Sequence, residues 1–142
     1  MSKLIFVNLP VTDLQRSVAF YEAIGAEKNP QFSDDTAACM VLSETIHVML
    51  LTHDKFRQFT PKRIADAHAT SEVMVALSED NREGVDRITE KALAAGGREA
   101  RDAEDLGFMY SRPFEDPDGH IWEPFFMDME AATAAMSQPA EA

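Results

Sequence analysis

The chain spells one local order twice, and that duplication limits the folds open to it more than any other feature. "LIFVNL" (residues 4–9) is rich in strand formers, and "PVTDLQ" then stops the strand. Thr12 and Gln15 have the spacing of a capping box, so a helix should start there. Leu14, Val18 and Tyr21 fall at i, i+4 and i+7 and give it one apolar face. Gly25 stands where a helix-ending glycine belongs. "KNPQFSDD" reads as a strand and a turn, followed by two short strands in "TAACMVLS" and "IHVMLLT". The order then restarts. "SEVMVALS" (71–78) is a strand, Asp80 with Glu83 a second cap, and Val85, Ile88 and Ala92 the next apolar face. Gly96 and Gly97 end that helix, and "GREAR", "GFMYSRPF" and "HIWEPFF" supply three more strands. Val11–Thr12 before the first helix match Leu77–Ser78 before the second. A long internal repeat of this kind fixes architecture. The expectation is an α+β chain of two βαβββ modules, each burying one sheet face under its helix and curling the other into a cleft.

The boundaries follow from the pattern. Residues 1–128 read as one domain, with module one at about 3–52, a linker at 53–70 and module two at about 71–128. The linker "HDKFRQFTPKRIADAHAT" is polar and broken by Pro61. It carries Lys55, Arg57, Lys62 and Arg63, a basic cluster suited to an anionic substrate, an acidic partner surface or plain solvation. The Ala-rich tail from 129 to 142 reads as a frayed helix or as disordered chain.

At 142 residues the chain has the size of one domain, and 45% hydrophobic with 27% charged residues marks a globular protein. A formal net charge of -12 repels DNA, RNA and anionic lipid; it serves solubility and also attracts cationic ligands. Cys39 is the only cysteine, so an intrachain disulfide and a cysteine-based zinc site are excluded, and its apolar setting suggests a buried thiol. The N-terminal apolar run is too short for a signal peptide, and no stretch approaches the ~18 apolar residues of a membrane span. The expected location is cytoplasmic.

"VNLPVTDLQRSVAFYEAIGAE" resembles the opening of the vicinal oxygen chelate superfamily, which includes glyoxalase I, the bleomycin-resistance proteins and the extradiol dioxygenases. "FEDPDGHIWEPFF" resembles its closing signature, an Asp-Pro-Asp-Gly turn before a strand with a glutamate. The resemblance covers roughly residues 3 to 128. It implies a half-open, cup-like sheet of two βαβββ modules, a homodimer, and one of several activities.

The resemblance also implies where a metal would sit, since metal-dependent members place ligands on four strands. The first position falls on Phe6, which cannot bind a metal, and its neighbour on that face, Asn8, is a weak neutral donor. The second falls near Leu50, with His47 on the opposite face by parity. The third falls near Val73, and the fourth on Glu123. His120 is three residues from Glu123 and therefore on the other strand face. One ligand of four disfavours a divalent metal, and no other cofactor is implied. Trp122, next to Glu123, should point into the core.

Without a metal, Glu123 is an acid at the rim of the cup, a general base, or an anchor for a cationic or hydroxylated ligand. Tyr110 and Arg112 share a strand face with Phe108 and Phe114. They either line the cup, where Arg112 could clamp a carboxylate, or turn outward to pair with acids. Phe6, Asn8, Tyr110, Arg112 and Phe125 are the candidate ligand-binding residues and Glu123 the candidate catalytic one. The expected function is binding of a small organic molecule in the cup without a metal. The alternative is a metal-dependent lyase (such as lactoylglutathione lyase), isomerase or dioxygenase using Glu123.

Overall fold

The structure is a computed structural model and describes residues 2–137; Met1 and the end of the tail, 138–142, lie outside the described residues. Strand β1 (Ile5–Val11) leads into helix α1 (Leu14–Ala23). Strand β2 (Glu27–Asn29), a single 3-10 turn at Pro30–Phe32, and strands β3 (Ala37–Val41) and β4 (Ile46–Thr52) complete the first module. A short helix α2 (His53–Arg57) opens the linker. The second module has β5 (Met74–Ser78) and α3 (Arg82–Ala94). It closes with β6 (Arg98–Glu99), β7 (Glu104–Asp105), β8 (Met109–Ser111), β9 (Phe114–Glu115) and β10 (Ile121–Met127). A final helix α4 (Met129–Ser137) gives the first part of the tail a regular form, with Ala132 buried.

The duplication holds at the level of sheet topology. The first sheet runs β1-β4-β3-β2, with β1 parallel to β4 and the other pairs antiparallel. In the second sheet β5 is parallel to β10, and β8 and β9 pair antiparallel with β10. β6 and β7 then form the outer rank on β9 and β8. The expected "GFMYSRPF" strand is interrupted between Ser111 and Phe114, at Pro113, which has no amide hydrogen to donate. The two sheets curl into the half-barrel of an α+β fold.

Both helix starts differ from the sequence expectation by a residue or so. Asp13, not Thr12, caps α1, accepting the Arg16 amide at 3.1 Å. Asn81, not Asp80, caps α3, accepting the Gly84 amide at 2.7 Å. The internal match is therefore Asp13 with Asn81, two residues out of step with the Val11–Thr12 and Leu77–Ser78 pairing. Several adjacent residues of capping type stood at each site, and the backbone angle chose between them.

One hydrophobic cluster joins the modules. Leu9, Val11, Val48, Leu50 and Met40 from the first sheet meet Phe20, Tyr21 and Ile24 of α1. The same cluster takes in Ile88 and Ala92 of α3 and Phe114 and Trp122 of the second sheet. Trp122 is 1% exposed and contacts Tyr21 edge-on, so it is core as its strand parity indicated. Each sheet thus has a face turned to the helices and an open face. Strand period places Phe6, Asn8 and Pro10 with His47, Met49 and Leu51 on the open face of the first sheet. Ile121, Glu123 and Phe125 share the open face of the second with Met74, Ala76 and Ser78.

Candidate functional site

Glu123 sits near the middle of β10, flanked on the open face by Ile121 and Phe125. Its side chain is 20% exposed, and its Oε2 accepts from Nη2 of Arg101 at 3.3 Å. Arg101 lies in the turn between β6 and β7, where its guanidinium also comes within 4.0 Å of Glu104. The acid is therefore a paired carboxylate set between an isoleucine and a phenylalanine. Nothing in the spacing of Arg101 marked it; the connection between two two-residue strands brings its guanidinium to Glu123.

Tyr110 and Arg112 take the second of their two expected directions. They are on the helix face, in register with Phe126 and Pro124, opposite to Glu123. The Tyr110 hydroxyl donates to Asp86 of α3, and that bond raises the phenol above its ordinary range. Arg112 reaches Glu90 at 2.9 Å, Asp86 at 3.2 Å and Glu99 at 3.5 Å, with its side chain 16% exposed. It holds three acids of a strongly acidic chain together. Arg112→Ala should leave them facing one another and lower stability by about 1–2 kcal/mol, measured by denaturant unfolding, with the loss growing as salt is lowered.

Of the other candidates, Phe6 and Asn8 lie on the open face of the first sheet, and Phe125 shares the face of Glu123. His47 and Leu50 lie on opposite faces of β4, as strand parity requires, but the open face is that of His47; it is the cup position expected near Leu50 that needs correction. His47 is in register with Phe6 and stacks on its ring at 4.4 Å, whereas Leu50 is fully buried beneath the helices. The open-face position beside Asn8 is held by Met49. The His47 Nδ1 atom is buried without a hydrogen-bond partner among the described residues.

These donors do not fit a divalent metal. Glu123 and His47 stand on different sheets, Glu123 is engaged by Arg101, and the adjoining open-face positions are Phe6, Met49 and Met74. Among the described residues no group of three or more His, Cys, Asp and Glu side chains could hold an ion.

The Asp-Pro-Asp-Gly turn has a different task, visible only in three dimensions. Asp118 Oδ1 accepts from the Thr12 amide at 3.0 Å and the Thr12 hydroxyl at 2.8 Å, and its Oδ2 from Ser17 at 3.3 Å. Asp116 Oδ2 accepts from the Tyr21 hydroxyl at 2.6 Å, which in turn accepts from Trp122 Nε1 at 2.9 Å. Asp116 Oδ1 takes the amides of Asp118 and His120, both at 2.9 Å. His120 Nε2 lies 2.8 Å from the Pro10 carbonyl. Burial pushes the Asp116 carboxyl up, and burial followed by the Asp116 charge pushes the Tyr21 phenol well up. Residues of the opening and closing motifs thus bind each other, and together they lock module two onto α1.

Two clefts flank this lock. One of about 380 Å³ lies between β1, the start of β5 and the linker, lined among others by Asn8, Phe56, Arg63, Val73 and Ile121. A second of about 440 Å³ adjoins it and shares Pro10, Arg63, Ile64 and His120. Glu123 lines neither of them.

Two βαβββ modules curled into an open half-barrel, with a glutamate on the last strand, define a protein of the vicinal oxygen chelate type. The family model described as Glyoxalase/Bleomycin resistance protein/Dioxygenase superfamily matches residues 3–123, and the chain belongs to that superfamily. No curated protein matches the chain. Among solved structures it is similar to hypothetical protein SA1046 from S. aureus, at 27% identity and TM-score 0.74, over 89% of this chain and 95% of that one. It is also similar to a glyoxalase-related enzyme from Fulvimarina pelagi, at 21% identity and TM-score 0.74, covering 89% of this chain and 88% of that one. The fosfomycin resistance protein FosX from Mesorhizobium loti shares the fold at 18% identity and TM-score 0.68, over 94% and 98% of the two chains.

Proposed function

We propose that this protein binds a small organic molecule on the open sheet face around Glu123, with no metal ion held by its own side chains. The observation that carries this reading is the Glu123–Arg101 pair. A carboxylate between two apolar neighbours, masked by a guanidinium from a turn, can exchange that partner for a cationic or hydroxylated group of a ligand. The net charge of -12 favours the approach of a cation.

A homodimer belongs to the same reading. Leu4, Ile5 and Phe6 at β1 and Val73 and Met74 at β5 are each about half exposed or more, and a second copy would cover them. Residues 1–128 act as one domain and the location is cytoplasmic. Among the described residues no helix is long and apolar enough to cross a membrane.

Screening a panel of organic amines and polyols by thermal shift tests the site. Glu123→Gln should keep the fold, with stability within about 1 kcal/mol, because the pair it breaks is partly exposed. It should weaken a cationic ligand by about tenfold or more. Unchanged affinity would remove Glu123 from the site.

A second reading, a metal-dependent lyase, isomerase or dioxygenase, draws on Glu123 and on His47 Nδ1, buried without a hydrogen-bond partner among the described residues. Metal analysis of protein purified without chelators separates the two. Stoichiometric zinc, nickel, iron or manganese would overturn the metal-free reading.

A further inference from the structure

The linker is more than a connection. It is pinned at both ends and spans a cleft between them. At one end Thr52 caps α2, accepting the Lys55 amide at 3.2 Å, and Phe56 lines the cleft. At the other, the Asp66 carbonyl accepts the amides of Ala69 and Thr70, both at 2.9 Å. Ala67 there lies so close to Gly119 that a Cβ on the glycine would be 2.8 Å from its carbonyl carbon. Residues 60–65 between these anchors run as a strap across the seam between β1 and β5.

Under the strap the cleft of about 380 Å³ falls within the usual size of small-molecule sites, roughly 300–1,000 Å³. Its walls are apolar where Phe56, Ile64, Val73 and Ile121 meet. Its rim carries Lys62 and Arg63, neither of which is ion-paired among the described residues, and Arg63 also lines the adjoining cleft. Three acids line the two clefts. Asp118 is taken by Thr12, Ser17 and Arg16, Asp66 accepts the His68 amide, and Glu72 remains on the wall. The amide leaves the Asp66 charge uncompensated, but Asp66 and Asp118 line only the adjoining cleft; in the cleft of about 380 Å³ itself Lys62 and Arg63 stand against Glu72 alone, a locally cationic spot in a chain of net charge -12.

We propose that the cleft beneath the strap is a second small-molecule site, which takes an organic anion; it adjoins the Glu123 face and shares Ile121 with it, but Glu123 itself does not line it. The apolar body lies against Phe56, Ile64 and Ile121, and the carboxylate meets Arg63 and Lys62. The two sites then select opposite charges.

The test is a methyl-labelled NMR titration of the whole chain with 2-naphthoate and with its neutral counterpart 2-naphthamide. Saturable shifts should centre on Ile64, Val73 and Ile121, with the carboxylate binding about tenfold more tightly than the amide. Arg63→Ala, and Lys62→Ala with Arg63→Ala, should bring the carboxylate down to the amide's affinity and leave the amide unchanged. These side chains are exposed, so the variants should fold. No saturable shift, equal affinity for the two probes, shifts centred on Met74 and Met127 of the Glu123 sheet with Ile64 unmoved, or a charge preference that survives the double variant would each overturn the proposal. None of these results bears on whether Glu123→Gln alters binding of a cation.

Discussion

Asp116→Ala should cost about 2–4 kcal/mol of unfolding free energy at neutral pH, the largest loss expected of any polar substitution in this chain. Asp116 is 2% exposed and serves three donors: the Tyr21 hydroxyl and the amides of Asp118 and His120. Alanine leaves all three without that acceptor and opens a void beside the Tyr21 hydroxyl. The damage should also reach Asp118, whose hold on Thr12 and Ser17 depends on the turn keeping its shape. Denaturant melts check this; a loss below about 1 kcal/mol would mean the lock is ornamental.

Asp116→Asn separates charge from shape. Burial raises the Asp116 carboxyl above its usual value, so the native state holds the proton more tightly than the unfolded chain. The stability this contributes is fully present below the unfolded value, about pH 3.9, and is lost as pH rises through the folded one. The advantage of the wild-type chain over Asp116→Asn should therefore be larger at pH 4.5 than at pH 7. An advantage that grows with pH would show that the charged form is the favoured one.

Gly119→Ala should destabilise by about 2–3 kcal/mol, combining backbone strain with a displaced linker. Gly119 has φ +92°, and an added Cβ would lie 2.8 Å from both the Ala67 carbonyl carbon and the His68 nitrogen. Those are backbone atoms, so no side-chain rotation relieves the contact. Gly25→Ala is the control. Its φ is +111°, yet nothing lies within 4 Å of the added carbon, so it carries the strain alone, about 1 kcal/mol. The excess of the first loss over the second measures the linker contact. Trypsin should also cut more quickly after Lys62 and Arg63 in Gly119→Ala than in Gly25→Ala. Equal losses and equal cleavage would show that the strap is not held at Gly119.

The modules, their helices and their buried faces were legible because they depend on local periodicity. Trp122 and the apolar rows of both helices repeat at the spacing of the element that carries them, whereas on β4 the face of Val48 and Leu50, expected in the cup, is the buried one. His120, expected by the same period on the face opposite Glu123, stands one residue before β10, with its Nε2 at the Pro10 carbonyl. The caps were less legible, since Thr12, Asp13, Asp80 and Asn81 are all plausible N-caps and their relative fit is a matter of backbone angle.

The site was read less well, because it depends on contacts that cross the chain. Phe6, Asn8, Glu123 and Phe125 fall on open faces by parity, but the position assigned to Leu50 belongs to the core, and His47 stacks on Phe6 instead. Tyr110 and Arg112 share a strand face, but which side of the sheet it occupied rested on register with β10. Arg101, the partner of Glu123, is 22 residues away and gave no signal.

The sequence by itself determined that this protein is a duplicated βαβββ chain, because side-chain period and the glycine stops are properties of neighbouring residues. Tertiary structure alone decided the roles of its acids. Asp116 and Asp118 look like turn residues and serve as an inter-module lock, their partners lying 95 to 106 positions away in the opening motif. Glu123 looks like a stranded ligand and is a paired carboxylate. Charge and hydrogen bonding act through space, and the spacing along the chain does not record which donors a carboxylate will meet.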